Sequence, residues 1–137
     1  MLQLYSKGCE HVIRAMMNIR LEECRSGFSA RVICKKVRLP ESFTRKIFQA
    51  LVKSGVLSAK RGPGGGYRFR KDPAKVSLLS VIYAIDGKDV FDKCVIKDMS
   101  CEQAGHCSLH ATWMKTKASL IKQLRDSTIA QLIEGGA

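Results

Sequence analysis

Apolar residues recur every three or four positions along much of the chain, the spacing that places them on one face of a helix. The first such stretch predicts a helix over Leu4–Cys24, with Ser6 as its N-cap. Ser29 is the expected N-cap of a second, shorter helix that a turn at residues 38–40 should end. The predicted apolar face of this shorter helix consists of Ala30, Val32, Ile33 and Val37. The first helix is expected to pack against the elements that follow it.

The next stretch predicts another helix directly after the turn. Pro40 fits its first turn, because the N–H that proline lacks would have no partner there. Gly55 should end the helix as a left-handed C-cap. The predicted apolar face consists of Phe43, Ile47, Phe48, Leu51 and Val52. Ser42, Arg45 and Lys46 are then expected to point away from the core.

Two short runs after this helix predict strands, Val56–Ala59 and Tyr67–Phe69, joined by the segment KRGPGGG. The order helix, turn, helix and hairpin is that of a winged helix-turn-helix. In that geometry the second helix enters the major groove of DNA, and the hairpin lies near the phosphates or the minor groove. A phosphate-cradling loop is disfavoured, because the Walker A pattern is absent and the glycines lie between strands.

Two more helices are predicted beyond the hairpin. Ser77–Asp86 has helical apolar spacing, and Gly87 should end it. The longest helical signal is Ala111–Ile133, whose predicted stripe consists of Trp113, Lys117, Leu120, Ile121, Leu124, Thr128 and Leu132. Because no partner for this stripe remains in so small a domain, we expect it to pack against a copy of itself in a two-fold dimer. The alternative is that it packs wholly on its own domain.

Half of the positive charge is concentrated in the predicted winged helix. The chain has 24 Lys or Arg and 12 Asp or Glu, and residues 31–71 contain twelve of the basic residues and a single acid, Glu41. Such a concentration suggests a surface that binds a polyanion. Because it lies in a predicted winged helix-turn-helix, the expected partner is double-stranded DNA. The expected phosphate contacts are Lys46, Lys53, Lys60 and Arg61. Ser42 and Arg45 are placed to read bases, and Arg61 could instead enter a narrow minor groove.

Other function classes are less well supported by the sequence. An RNA-binding or structural module would share the basic face but would not prefer a palindromic duplex. No acid–base constellation or substrate pocket is recognisable, so we do not expect an enzyme. The N-terminus lacks a continuous apolar segment, and no run approaches the roughly 20 apolar residues of a membrane helix. We therefore expect a cytoplasmic protein with no membrane association.

One segment near the C-terminal end contains three of the six cysteines, with a histidine directly after them. Cys94, Cys101 and Cys107 are spaced C-x6-C-x5-C, and His110 follows as C-x2-H. Three thiols and an imidazole can converge on a soft metal centre, and these long spacers suit an object larger than one ion. Zinc is the second choice, because its sites more often contain a C-x2-C knuckle. Three unrelated free thiols are the remaining alternative.

The other cysteines are isolated in the sequence. Cys24 and Cys34 are expected to be small buried thiols, and the role of Cys9 stays open. A disulfide framework is not expected in a reducing compartment.

The most specific motifs of the chain are RGPGGGY at Arg61–Tyr67, AID at Ala84–Asp86, the three-cysteine loop, and HATW at His110–Trp113. Together they resemble the bacterial winged-helix iron-sulfur regulators of the IscR/NsrR family. The resemblance spans nearly the whole chain. It implies a homodimeric transcription regulator with an iron-sulfur cluster held by Cys94, Cys101 and Cys107 near the dimer interface.

The resemblance also offers two candidates for a fourth ligand. His110 matches the histidine of members with a 2Fe-2S cluster, whereas Glu10 aligns with the N-terminal acid of members with a 4Fe-4S cluster. The HATW context favours His110 and 2Fe-2S, with 4Fe-4S possible and Glu10 or Cys9 as alternative ligands. The first cysteine gap is one residue longer than the IscR pattern. Arg45 stands where IscR-like members have an acid, so a target sequence is not carried over.

The expected fold is therefore mainly α with a small β-hairpin wing: a winged helix-turn-helix followed by a long C-terminal dimerisation helix. Its expected divisions are a DNA-binding domain at 1–87, a cluster-binding loop at 88–110, and a dimerisation helix with a C-terminal tail at 111–137. The expected function is a DNA-binding transcription regulator controlled by the state of its cluster, through iron, redox or nitric oxide. A cluster-free thiol switch or a zinc-stabilised regulator is the alternative.

Overall fold

The computed structural model describes residues 4–61, 66–92 and 108–135. In chain order the described elements are α1 (Lys7–Met16), α2 (Leu21–Ser26), α3 (Ala30–Val37), α4 (Glu41–Lys53), β1 (Leu57–Lys60), β2 (Gly66–Phe69), a 3-10 turn (Pro73–Lys75), α5 (Leu78–Asp86), α6 (His110–Asp126) and α7 (Ile129–Gly135). The two strands form an antiparallel hairpin. The predicted mainly helical fold with a small hairpin is confirmed.

The first predicted helix is two helices in the structure. α1 ends at Met16, and the side-chain amide of Asn18 donates to a carbonyl in its last turn at 2.9 Å. α2 begins after Arg20, whose backbone N–H donates to Glu23 Oε1 at 3.0 Å. The prediction of one helix over Leu4–Cys24 was therefore wrong. Side chains satisfy the backbone groups that such a break exposes, and the apolar spacing does not reveal it.

The two helices of the helix-turn-helix begin and end close to the predicted residues. Ser29 caps α3, because its hydroxyl accepts a hydrogen bond from the Val32 N–H at 3.4 Å. Arg38 takes a left-handed conformation at the turn, with φ of 58°. Pro40 is the N-cap of α4, one position before its expected place. Gly55, with φ of 87°, follows the end of α4 as predicted.

The apolar faces of these helices differ from the prediction at two positions. Val32 is 64% exposed and Phe43 is 39% exposed, so their predicted places in the core were wrong. The buried residues of α3 are Ala30, Ile33 and Cys34, which lie within about 100° of one another around the helix, and Val32 lies on the opposite side. Thr44 takes the buried position next to Phe43, since its hydroxyl donates to the carbonyl of Pro40 at 2.7 Å and is thereby satisfied.

The hairpin is attached to the helices along its inner side. In its register Leu57 pairs with Phe69, and Lys60 pairs with Gly66. Phe28, between α2 and α3, exchanges two backbone hydrogen bonds with Tyr67 at 2.8 and 2.9 Å. The core beneath contains an aromatic group with ring centroids 5.1 to 6.2 Å apart, formed by Phe28, Phe48, Tyr67 and Phe69.

The predicted single C-terminal helix, Ala111–Ile133, is also two helices, so that prediction was wrong. Thr128 and Gln131 form a capping box that starts α7: the Thr128 N–H donates to Gln131 Oε1 at 3.0 Å, and the Gln131 N–H donates to Thr128 Oγ1 at 3.1 Å. The Ile129 N–H donates to the carbonyl of Val76 at 2.9 Å. The Ile129 side chain is fully buried in the main core. α7 therefore packs against α1 and the 3-10 turn, in the core that also contains residues of α3 and α4.

α6 lies on α5 but is not fully covered by it. Leu120, Ile121 and Leu124 pack against a small cluster that includes Leu79 and Ile82 of α5. They remain partly exposed, and no side chain of α6 is fully buried. Within the described ranges no helix has the length and apolar character needed to cross a membrane.

Candidate nucleic-acid interface and cluster ligands

One side of α4 is polar and exposed along the whole helix. Its exposed polar residues on this side are Ser42, Arg45, Lys46, Gln49 and Lys53. Spacings of three, four and seven residues keep these side chains on one stripe, because an α-helix has 3.6 residues per turn. The exposure predicted for Ser42, Arg45 and Lys46 is confirmed. Gln49 was missed, although its distance of seven residues from Ser42 was a readable signal.

Arg45 is held by an acid of its own helix. Its Nη2 and Nε atoms lie 2.9 and 3.0 Å from Oε1 of Glu41, one turn earlier. Both side chains are about half exposed, and exposed pairs of this kind contribute only about 0.3 to 0.5 kcal/mol. Arg45 can therefore exchange Glu41 for a phosphate or a base edge at little cost.

A cleft of about 420 Å³ separates α4 from the hairpin. Its polar lining residues are Ser29, Arg45, Gln49, Lys60, Arg61 and Tyr67. Three of the six predicted DNA-binding residues thus share this cleft, which we call the reading cleft. The other three, Ser42, Lys46 and Lys53, lie on the exposed side of α4 but do not line it.

The reading cleft is electropositive. It has three cationic side chains, and no acid is among its described lining residues. In the described part of the chain the ion pairs are Arg20 with Glu22 and Arg45 with Glu41, so Lys60 and Arg61 have no acidic partner there. Unneutralised cations facing a common space favour a polyanionic ligand.

The floor of the reading cleft contains a hydrogen bond between an element of the hairpin and α4. Gln49 Nε2 donates to the phenol oxygen of Tyr67 at 3.0 Å. The Tyr67 side chain is only 7% exposed, and its ring centroid lies 5.1 Å from that of Phe48. The exposed glutamine is therefore tied to a tyrosine that the core fixes.

Of the predicted cluster ligands, His110 is the one that the structure describes. It is the first residue of α6 and is exposed. Cys94, Cys101 and Cys107 lie outside the described residues. Among the residues that are described, no group of three or more His, Cys, Asp or Glu side chains is arranged to hold a metal ion.

Cys9 does not fit the role of an alternative ligand. Its side chain is fully buried against Leu79, Ile82 and Phe91. Burial, aided by the nearby Asp86 carboxylate, raises the pKa of the Cys9 thiol to about 12. Metal ligation requires an accessible thiolate, whereas this sulfur is a protonated core group.

The other side chains considered in the sequence, Glu10, Cys24 and Cys34, differ in solvent exposure. Glu10 is partly exposed on α1, so its carboxylate stays open as an alternative ligand. Cys24 and Cys34 are buried, as predicted. Burial, with nearby acids, raises the pKa of Cys24 to about 11, and burial also raises the pKa of Cys34.

The end of α5 is joined to the start of α1. The Asp86 carboxylate accepts hydrogen bonds from the backbone N–H of Ser6 at 2.8 Å and from its hydroxyl. The Ser6 hydroxyl in turn accepts a hydrogen bond from the Cys9 N–H at 3.1 Å, which caps α1 as predicted. The acid of the AID motif thus ties two helices together immediately before the predicted loop at 88–110.

Comparison with known proteins places the chain in a family. Residues 5–135 match the sequence model of Rrf2, a family of iron-dependent transcriptional regulators. The chain belongs to the Rrf2 family. It is 29% identical over 132 residues to the HTH-type transcriptional regulator IscR of Vibrio vulnificus, an alignment that covers 96% of this chain and 77% of that protein.

Solved structures share the fold at lower sequence identity. The IscR of T. potens superposes with a TM-score of 0.70 at 20% identity, covering 95% of this chain and 85% of that one. CymR (YrzC), the global cysteine regulator of B. subtilis, gives a TM-score of 0.74 at 18% identity, with 100% of both chains covered. The predicted resemblance to winged-helix regulators is confirmed. This Rrf2-family chain is a transcriptional regulator and not an enzyme.

Proposed function

We propose that this Rrf2-family regulator binds double-stranded DNA through α4 and the hairpin and that an iron-sulfur cluster controls its affinity. The observation that carries the proposal is the reading cleft, in which Arg45, Lys60 and Arg61 converge beside the exposed stripe of α4. A helix of this kind fits the major groove, and a basic hairpin beside it fits the neighbouring backbone or minor groove.

The DNA contacts divide into two classes. Ser42 and Arg45 lie in the first half of α4, where recognition helices contact base edges. Lys46, Lys53, Lys60 and Arg61 are exposed cations that would contact phosphates and fix the register, and Arg61 has the minor groove as its alternative.

The proposed cluster ligands are Cys94, Cys101, Cys107 and His110, with 2Fe-2S as the favoured type. Two observations support this set: the family is iron-dependent, and His110 is exposed at the start of α6 directly after the three-cysteine segment. Glu10 remains the alternative fourth ligand. When bound, the cluster would supply iron whose redox change or loss alters the ligation of these side chains.

A signal at His110 has a physical route to the DNA-binding helices. His110 begins α6, and α6 packs on α5 through Leu120, Ile121 and Leu124. α5 in turn contacts α4. Ligation of a cluster by the cysteine segment and His110 would fix the start of α6 and so change how α6, α5 and α4 pack on one another. Couplings of this sort are typically worth about 1 to 3 kcal/mol.

We further propose a two-fold homodimer formed through α6, which would bind a palindromic operator. The support is the half-covered stripe of α6, where side chains that contact α5 still expose part of their apolar surface. Two copies related by a two-fold axis would cover that stripe and present two α4 helices to successive major grooves.

The test is anaerobic purification followed by visible absorption, native mass spectrometry and binding to duplex DNA. A coloured dimer whose extra mass fits two iron and two sulfide per subunit supports His110 ligation, whereas four and four favours Glu10. Alanine at Cys94, Cys101 or Cys107 should abolish the colour. Cys24→Ala serves as the control, because this thiol is buried in the core. Protein that stays colourless after reconstitution but binds DNA would overturn cluster control in favour of a thiol switch or zinc.

A further inference from the structure

We propose that Gln49 reads a base in the major groove, that Tyr67 positions it, and that the base it selects is adenine. The inference rests on the proposed DNA binding. It starts from the position of Gln49, which lies on the exposed stripe of α4 between Arg45 and Lys53 and lines the reading cleft. A side chain there faces the same groove as Ser42.

Tyr67 provides a fixed point of attachment. Its ring packs on Phe48 with a centroid distance of 5.1 Å and on Phe28 with a distance of 6.1 Å. Its backbone is paired with that of Phe28 through two hydrogen bonds. The core therefore fixes the phenol oxygen at the reading cleft, and a side chain that hydrogen-bonds to this oxygen is held in place as well.

The hydrogen bond from Gln49 Nε2 to this oxygen, at 3.0 Å, restricts an otherwise mobile side chain. A glutamine side chain normally loses rotamer freedom when a ligand orders it. Here much of that loss has already occurred in the free protein, so less remains to oppose binding. The structure thus preorganises the amide of Gln49 and does not merely expose it.

The atoms of the Gln49 amide that do not bond to Tyr67 determine which base it can recognise. With one N–H directed to Tyr67, the amide retains its Oε1 acceptor and its second N–H. Adenine presents the complementary pair in the major groove, an N6 amine donor beside an N7 acceptor. Guanine presents two acceptors and would leave Oε1 facing O6. The tie to Tyr67 therefore favours an A·T pair at one position of each half-site.

The experiment is selection from a pool of randomised duplexes by the wild-type protein, followed by affinity measurements on single-base variants of the selected site. Wild-type protein should enrich adenine at one position per half-site. Gln49→Ala should lose about five- to hundredfold of the discrimination at that position while keeping the preferences at other positions. Ser26→Ala is the control, because Ser26 is exposed on α2, does not line the reading cleft and lies outside the proposed dimer helix.

Tyr67→Phe tests the positioning role separately. It removes the phenol oxygen but keeps the ring in the aromatic core, so discrimination should fall at the same base position only. A purely structural role for the bond would lower thermal stability and leave base preference unchanged. If Gln49→Ala binds DNA with unaltered preferences, this inference is overturned and the DNA-binding proposal stands. If the wild-type protein selects no duplex, both are overturned.

Discussion

Gly66 lies where the second strand of the hairpin passes the backbone before α3. A Cβ atom built at this position would overlap the carbonyl oxygen of Phe28, so no other side chain fits here without a shift of the backbone. The flanking hydrogen bonds between Phe28 and Tyr67 hold the two segments together at this point. The glycine is therefore required by a close approach of two backbones.

Replacing Gly66 by alanine should accordingly destabilise the protein, because the hairpin must move away from Phe28. We expect a loss of about 1 to 3 kcal/mol in the free energy of unfolding, the usual cost of overpacking. Urea denaturation followed by circular dichroism measures it. Gly135→Ala is the control, since nothing lies within 4 Å of that position and its φ is not positive. Equal midpoints for the two variants would contradict the prediction.

The buried thiol of Cys9 should make stability fall at high pH. Burial raises its pKa from 9.0 to about 12, so the folded state keeps a proton that the unfolded state releases above about pH 9. The stabilisation is complete below pH 9 and is lost as the pH rises towards 12.

The measurement is urea denaturation at pH 7.5 and pH 10 for wild type and Cys9→Ala. The variant should lose less stability between the two pH values, whatever its stability at pH 7.5, because it lacks this titrating group. Cys24, whose pKa is also raised, is present in both proteins and so cancels in the comparison. An equal loss in the two proteins would argue against the buried, protonated thiol.

At the scale of elements, the capping box of α7 fixes where α6 stops. Thr128→Ala should cost about 1 kcal/mol, the usual effect of removing an N-cap side chain. Gln131→Glu is the matched control, because a glutamate at this place also accepts a hydrogen bond from the backbone N–H of Thr128. Denaturation midpoints compare them. Unchanged stability of Thr128→Ala would mean that the contacts of Ile129 alone hold the break.

Helix starts were far easier to predict than helix breaks. Ser6, Ser29 and Ser77 each accept a backbone hydrogen bond as N-caps, and local sequence reveals such caps. The break before Ile129 has a local signature too, but apolar spacing continues through it. Hydrogen bonds from Leu78 to Ser127 and from Ile129 to Val76 help to hold the segment, and these join residues about fifty apart. Periodicity alone does not contain that information.

The sequence predicted the cations of the candidate DNA interface but not the side-chain contacts among its residues. Charge density and helical spacing located the exposed cations, and Arg45, Lys60 and Arg61 do share a cleft. The tie between Gln49 and Tyr67 joins residues 18 positions apart and exists only once the hairpin folds onto α4. Likewise, the partnership of Arg45 with Glu41 was not anticipated, although its spacing of four residues is a readable signal.

At the scale of the whole molecule, the two ends of α6 differ in exposure. Its C-terminal end continues into α7, whose Ile129 lies in the main core, whereas His110 at its first position is exposed. A change in the proposed ligation of His110 would therefore act on the exposed first residue of a helix that packs on α5. This arrangement suits a helix that shifts on α5 when His110 changes, better than a helix that is fixed in place.

The cations of the hairpin should control affinity for DNA in a way that the bases do not. Lys60 and Arg61 line the reading cleft without an acidic partner among the described residues. Each phosphate that such a side chain neutralises releases counterions, so the slope of log K against log salt should become shallower by about 0.9 for each contact removed per subunit.

Lys60→Ala and Arg61→Ala should therefore weaken binding by similar factors on selected and on arbitrary duplexes, as titrations over a series of KCl concentrations would show. Lys122→Ala, an exposed charge on α6, is the control and should leave the slope unchanged. Gln49→Ala should do the opposite of the hairpin variants, keeping the slope and losing base discrimination. If both hairpin variants keep the wild-type slope, phosphate contacts do not come from the hairpin, and the exposed lysines of α4 must supply them.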